Sequence, residues 1–193
     1  MRKKVFTPLG ASNHSEKERA ELDFYATEPR ALELLLEQES FNLVWEPACG
    51  LGHLSDVLKK HGIHELSSDI VYRGYEHGIL IDFFDSSITS WPGDIITNPP
   101  YNKGVEFVKK AIDIVGPGCK VAMFLKLQFL ETKLRREFFK EYPPKVIYVS
   151  SSRLLCARNG DFMEARKMGS AVAYAWFVWY KGFNGDPIVK WIN

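Results

Sequence analysis

Apolar residues follow two alternating patterns along the chain, short continuous runs and stripes with helical spacing. The runs predict buried strands over residues 41–46, 63–69, 78–82, 94–98, 119–125, 145–150 and 171–180. The stripes between them predict helices from Pro29, after Gly52, over 103–115 and over 130–141. Strands alternating with helices indicate an α/β fold, a mostly parallel sheet with helices on both faces. No helix is predicted between the last two strands, which indicates an antiparallel pair at one edge.

Length and composition favour a single domain. The chain has 193 residues, of which 46% are hydrophobic and 25% are charged, as in ordinary globular proteins. Residues 1–22 are polar and lack an apolar period, so we expect a flexible N-terminal arm there. Residues 23–193 are expected to form one catalytic domain.

The sequence also narrows the compartment and the chemistry. No apolar run of about 18 residues exists, and no apolar segment follows the charges at the start, so neither a membrane span nor a secretory signal is expected. The three cysteines have no paired spacing, which indicates a reducing cytoplasm. Because the five histidines have no ligand-like partners, no metal site is expected.

Polar residues cluster where the predicted strands end. Glu46-Pro47-Ala48-Cys49-Gly50-Leu51-Gly52 follows the first strand, Asp69 ends the second, and Asp82-Phe83 ends the third. Ligands bind at the carboxyl ends of strands in such sheets. Two ligands suit these residues. Gly50, Gly52 and a later acid half match a nicotinamide dinucleotide site, although Ser55 replaces the third glycine. The alternative is an adenosyl group that ends in an amino acid.

Asn98-Pro99-Pro100-Tyr101 is the most informative stretch of the chain. Prolines lack an N–H and fix φ, so the loop forms a stiff bend after the fourth strand. The bend combines a side-chain amide, a free carbonyl at Pro99 and an aromatic ring. These groups suit a planar amine, with two acceptors for its hydrogens and a ring against its base. The dinucleotide interpretation gives this motif no role.

Together, the glycine turn, Asp69, Asp82-Phe83 and Asn98–Tyr101, in this order and spacing, resemble the amino-type DNA methyltransferases that methylate N6 of adenine. Small phage- or prophage-encoded members are most similar in size. The resemblance covers about residues 23–150. It implies a Rossmann-like class I methyltransferase fold with a seven-stranded sheet and an antiparallel last strand, S-adenosylmethionine as cofactor, and DNA with a flipped-out adenine as substrate. The family's Thr-Pro is here Thr27-Glu28-Pro29, one residue longer.

The resemblance also implies residue roles. Asp69 would hold the ribose of the cofactor, Asp82 and Phe83 its adenine. The glycine turn and the segment before the first strand would contact its methionine part. The expected catalytic residues are Asn98, Pro99, Pro100 and Tyr101. The expected cofactor residues are Tyr25, Thr27, Glu46, Pro47, Ala48, Gly50, Gly52, Asp69, Asp82, Phe83 and Asn98.

Nucleic acid requires basic groups near the site, since the net charge is only +1. Only Ser151–Ser170 separates the last two strands, too little for a target-recognition domain. We therefore expect loose specificity, or a protein partner or homodimer. The candidate nucleic-acid contacts are Lys103, Lys126, Arg153, Arg158, Arg166 and Lys167. Related proline-motif enzymes modify RNA bases or protein glutamine, and a silent binding subunit is a further alternative.

Overall fold

A computed structural model describes residues 24–158, 160–168 and 172–193. The arm predicted for residues 1–22 lies outside these ranges. The described residues form ten strands: β1 Tyr25–Thr27, β2 Leu43–Glu46, β3 His64–Asp69, β4 Ile79–Leu80, β5 Asp94–Thr97, β6 Lys120–Lys126, β7 Val146–Ser150, β8 Cys156–Arg158, β9 Tyr174–Tyr180 and β10 Ile188–Ile192. They also form five α-helices: α1 Pro29–Leu36, α2 His53–Lys60, α3 Gly104–Ile114, α4 Lys133–Glu141 and α5 Phe162–Met168.

Eight of the strands form the central sheet, in the order β10-β7-β9-β6-β5-β2-β3-β4. The α/β fold is as predicted, but the predicted count of seven strands is wrong. The antiparallel strand is β9, which lies between β6 and β7 and is antiparallel to both. It is therefore neither the last strand nor at an edge. The edge strand β10 runs parallel to β7. Four of its five residues are exposed, so it lacks the buried apolar run that identified the others.

Helices cover both faces of this sheet. The buried residues of α1 and α2, such as Leu32 and Leu58, pack on one face. Those of α3 and α4, such as Phe107 and Phe138, pack on the other. β9 serves both layers, because its alternate side chains point to opposite faces. This central packing fixes the strand ends on which the site is built. None of the helices in the described ranges is long and apolar enough to span a membrane.

A second sheet, of two strands, lies near the carboxyl ends of the central parallel strands. β1 pairs antiparallel with β8, and Thr27 lies opposite Cys156. Glu28, the residue that lengthens the Thr-Pro segment, explains how β8 is held. The Glu28 N–H donates to the Leu155 carbonyl at 3.0 Å, and the buried Glu28 carboxylate accepts from the Leu155 N–H at 3.3 Å and from Arg166. The connection between β7 and β9 is thereby attached beside β1.

Candidate functional site

The carboxyl ends of β2, β3 and β5 meet β1 around a cavity of about 250 Å³. Parallel strands present these ends at the same edge, which is why residues distant in sequence meet here. The lining includes thirteen predicted site residues: Tyr25, Thr27, Glu46, Pro47, Ala48, Asp69, Asp82, Phe83, Asn98, Pro99, Pro100, Tyr101 and Lys103.

The glycine turn is held by its own chain. The Gly50 N–H donates to Asp69 Oδ2 at 2.9 Å, and the Gly52 N–H donates to the Cys49 carbonyl at 2.8 Å. Gly50 and Gly52, which were predicted to contact the cofactor, are not among the residues that line the cavity. A Cβ on Gly50 would lie 2.0 Å from the Phe24 ring, and one on Gly52 would lie 2.2 Å from the Tyr75 ring. Both also have positive φ angles, of 56° and 81°. The glycines therefore make room for aromatic rings of this chain.

Glu46 is a buried acid at the end of β2 that lines the cavity. Its residue is 2% exposed, and its carboxyl group accepts from the Ser55 hydroxyl. Burial raises the pKa of Glu46 to about 8, with smaller contributions from the negative charges of Glu65 and Asp69. Near neutral pH this side chain is therefore largely a neutral acid that can donate as well as accept.

Asp69 and Asp82 occupy adjacent strand ends with different local roles. Asp69 joins two turns, since Oδ1 also accepts from the Val71 N–H at 3.1 Å. Asp82 lies beyond β4 and is exposed, and its Oδ1 accepts from the Phe84 N–H at 2.9 Å. The buried Phe83 ring beside it stacks on Phe107, with 4.9 Å between ring centroids. An exposed carboxylate beside an aromatic cluster can accept from the amino group of a purine.

The orientation of the Asn98 side chain is fixed by a hydrogen bond. Its Nδ2 donates to the Tyr25 carbonyl at 2.9 Å, which a side-chain oxygen could not do. The other end, Oδ1, is buried and has no hydrogen-bond partner among the residues the structure describes. An unpaired buried oxygen is costly in a folded protein and often marks a ligand position. Asn98 therefore lines the cavity and has a buried acceptor that no described residue uses.

Tyr101 packs at the same bend. The Pro100 carbonyl accepts from the Lys103 N–H at 2.9 Å and starts a single 3₁₀ turn, which does not use the Pro99 carbonyl. The Tyr101 ring lies 5.6 Å from the Tyr25 ring, and the Lys126 ammonium is 4.1 Å from its centroid. Burial raises the pKa of Tyr101 well above its usual value, so the phenol is neutral.

The predicted nucleic-acid contacts are divided between the cavity and its surroundings. Lys103 lies over the Phe84 ring at 5.4 Å and lines the cavity. Lys126 stands over Tyr101. Arg153 and Lys167 are exposed and lie outside the lining, and Arg158 belongs to β8. Arg166 forms an ion pair with Glu28, so this side chain has a structural contact in the protein.

Three residues at the site were not predicted from the sequence. Cys156 on β8 lies 3.7 Å from Asn98 Nδ2. Phe24 covers the glycine turn and contacts Arg73, whose guanidinium is 5.0 Å from the ring centroid. His53 lines the cavity and packs against Phe162 of α5. Only the pairing of β1 with β8 brings Cys156 to the site, and no local pattern predicts such a pairing.

The donors and acceptors of the cavity fit an adenosyl ligand better than a dinucleotide. The N–H groups of both glycines already have acceptors, and the Asp69 carboxylate accepts from that of Gly50, so the turn does not offer these donors to a pyrophosphate. Asp69, Asp82 and Phe83 remain suitable for the ribose and adenine of S-adenosylmethionine. Within the described ranges, no cluster of His, Cys, Asp and Glu could hold a metal ion.

Comparisons with known proteins define the fold class. No protein-family model matches the chain, and no curated protein matches it in sequence. A candidate hemolysin from Lactococcus lactis is similar in structure at 12% identity, over 84% of this chain and 91% of that one, with a TM-score of 0.60. A candidate class I S-adenosylmethionine-dependent methyltransferase from Listeria monocytogenes is similar at 12% identity, over 84% and 62%, with a TM-score of 0.52. A candidate RNA methyltransferase from Pyrococcus horikoshii is similar at 13% identity, over 79% and 80%, with a TM-score of 0.52.

These likenesses establish the fold alone. The chain shares its fold with these three proteins, two of which are described as methyltransferases. Neighbours with different descriptions share it, so the substrate must be argued from the residues of the site.

Proposed function

We propose that the protein transfers a methyl group from S-adenosylmethionine to the N6 amino group of adenine in DNA. The observation that carries the proposal is the unpaired Oδ1 of Asn98, a residue that lines the same cavity as Asp69, Asp82 and Phe83. An acceptor without a donor, at the end of a rigid bend, suits an N–H of an incoming amine.

The acceptors of the bend address the weakness of the nucleophile. The lone pair of the adenine amino group is delocalised into the ring, and the bound cofactor supplies an electrophilic methyl group. Asn98 Oδ1 and the Pro99 carbonyl can each accept one N–H of the amine, which favours a more tetrahedral nitrogen. They also stabilise the positive charge that develops there. Each ~1.4 kcal/mol of such stabilisation raises the rate about tenfold. No general base is needed before the transfer.

Tyr101 offers the flipped base a stacking surface. Flipping costs a few kcal/mol, and stacking on an aromatic ring returns about 1–3 kcal/mol. The Lys126 ammonium now lies 4.1 Å from the Tyr101 ring centroid. We expect the base to replace this ammonium at the ring, which leaves Lys126 near the phosphates of the target strand.

The test is methyl transfer from labelled S-adenosylmethionine to DNA and to RNA. Asn98→Ala should abolish labelling of DNA and keep cofactor binding, because Asn98 Nδ2 bonds to the protein and Oδ1 serves the substrate. Asn42→Ala is the control. Asn42 is exposed and precedes β2, whereas the cavity lies at the other end of β2, where that strand ends. Methylation mapping of plasmid from expressing cells would then identify the atom and the sequence context.

Other outcomes would contradict the substrate assignment. Labelling of RNA, or of a protein glutamine, with unlabelled DNA would assign the same bend to a different amine. Binding of cofactor and DNA without product, at excess enzyme, would indicate a silent binding subunit. A shift of the thermal midpoint with NAD and not with S-adenosylmethionine would favour an oxidoreductase.

A further inference from the structure

The side-chain nitrogen of Asn98 has two hydrogen-bond acceptors on the protein. One N–H of Nδ2 points to the Tyr25 carbonyl at 2.9 Å. The other partner of Nδ2 is Cys156 Sγ, at 3.7 Å. A carboxamide nitrogen has two hydrogens, and these two acceptors use both. With both held, the carboxamide has one orientation, and its oxygen is the end without a hydrogen-bond partner among the described residues.

The position of Cys156 is itself firmly fixed. The residue lies in β8 opposite Thr27, and the preceding Leu155 is bonded to Glu28 through both its N–H and its carbonyl. The thiol also interacts with the side chains of Thr27, Tyr101 and Tyr174, and the hydroxyl groups of the two tyrosines are 3.3 Å apart. Burial is the main reason that the pKa of Cys156 rises to about 12. The thiol is therefore neutral and unreactive as a nucleophile at physiological pH.

We propose that Cys156 is a positioning residue for methyl transfer, which accepts the second N–H of Asn98 and keeps the Asn98 oxygen directed at the substrate amine. This inference rests on the proposed function. Cys156 does not touch the reacting atoms and acts through Asn98, although its side chain also contacts Tyr101. Without the Cys156 thiol, Asn98 Nδ2 still donates to the Tyr25 carbonyl. The carboxamide should then sample a wider range of orientations but keep this hydrogen bond.

The expected effect is on turnover. Loss of one weak hydrogen bond corresponds to about a 3- to 10-fold lower kcat for Cys156→Ala. The dissociation constant of S-adenosylmethionine should stay within about twofold, because the cofactor residues are unchanged. Cys156→Ser retains an acceptor at nearly the same place and should restore most of the lost rate. Cys119→Ala is the matched control, because Cys119 directly precedes β6 and does not line the cavity.

A structural readout separates positioning from a general loss of stability. The Asn98 side-chain NH₂ signals in a ¹⁵N–¹H spectrum, assigned by their disappearance in Asn98→Asp, should shift in Cys156→Ala and not in Cys119→Ala. An unchanged kcat in Cys156→Ala, or unshifted Asn98 signals, would overturn the inference. So would a parallel loss of cofactor affinity and thermal stability, which indicates a packing role only.

The same experiment distinguishes failure of the inference from failure of the proposed function. If the wild-type protein methylates DNA and Cys156→Ala is equally fast, only the role of Cys156 is wrong. If the wild-type protein labels no substrate, the proposed function is wrong. The Asn98 signals then still decide whether Cys156 orients the carboxamide.

Discussion

Glu46→Gln should change how the stability of the protein depends on pH. Glu46 is buried at the end of β2, and burial raises the pKa of its carboxyl group from 4.5 to about 8. An unfolded chain would lose this proton near pH 4.5, whereas the folded protein keeps it to about pH 8. The raised pKa of Glu46 therefore contributes fully to the free energy of unfolding below about pH 4.5. This contribution decreases as the pH rises and is lost above about pH 8. Glutamine stays neutral throughout and does not lose it.

The magnitude follows from the same linkage. Where only the folded state holds the proton, each pH unit costs about 1.4 kcal/mol of unfolding free energy. The free energy of unfolding of Glu46→Gln, relative to wild type, should therefore rise by up to this amount per unit between pH 5 and 8. Urea unfolding followed by tryptophan fluorescence measures it at each pH. Glu37→Gln is the control, since Glu37 is exposed. A difference that is constant across this range would refute the argument.

Three further predictions concern the frame of the site. Glu28→Ala should lower the free energy of unfolding by about 1–3 kcal/mol, because it leaves a buried N–H unpaired, whereas Arg166→Ala should cost below about 1 kcal/mol since that side chain is 62% exposed. Gly52→Ala should cost about 1–3 kcal/mol more than Gly62→Ala in urea unfolding, because both have positive φ but only Gly52 faces a ring. Tyr101→Phe should keep most DNA methylation, and Tyr101→Ala should lose about tenfold or more. Equal values within any of these three pairs would contradict the corresponding contact.

Many residues of the cavity lining could be predicted because the end of a strand can be recognised from a short stretch of sequence. Asp69, Asp82 and Asn98 each follow a recognisable apolar run, and parallel strands bring such ends together. The roles of the glycines were less accessible. Their positions indicated a tight turn, but the sequence does not show that rings of Phe24 and Tyr75 occupy the space above them.

The features that were missed depend on pairing between distant segments. β10 is short and mostly exposed, so its apolar residues do not form the buried run of an inner strand. β8 has only three residues, and its partner β1 lies near the other end of the described chain. A three-residue strand has too weak a pattern to indicate a partner. Cys156 consequently had no visible connection with Asn98 in the sequence.

The pairing of β1 with β8 has a consequence for biosynthesis. While the ribosome is still making the second half of the domain, the glycine turn, both aspartates and the proline motif have already emerged. A nascent chain at that stage lacks the late segment that clamps Tyr25 and its neighbours. Asn98 therefore acquires both partners of its side-chain nitrogen only once β8 has been synthesised.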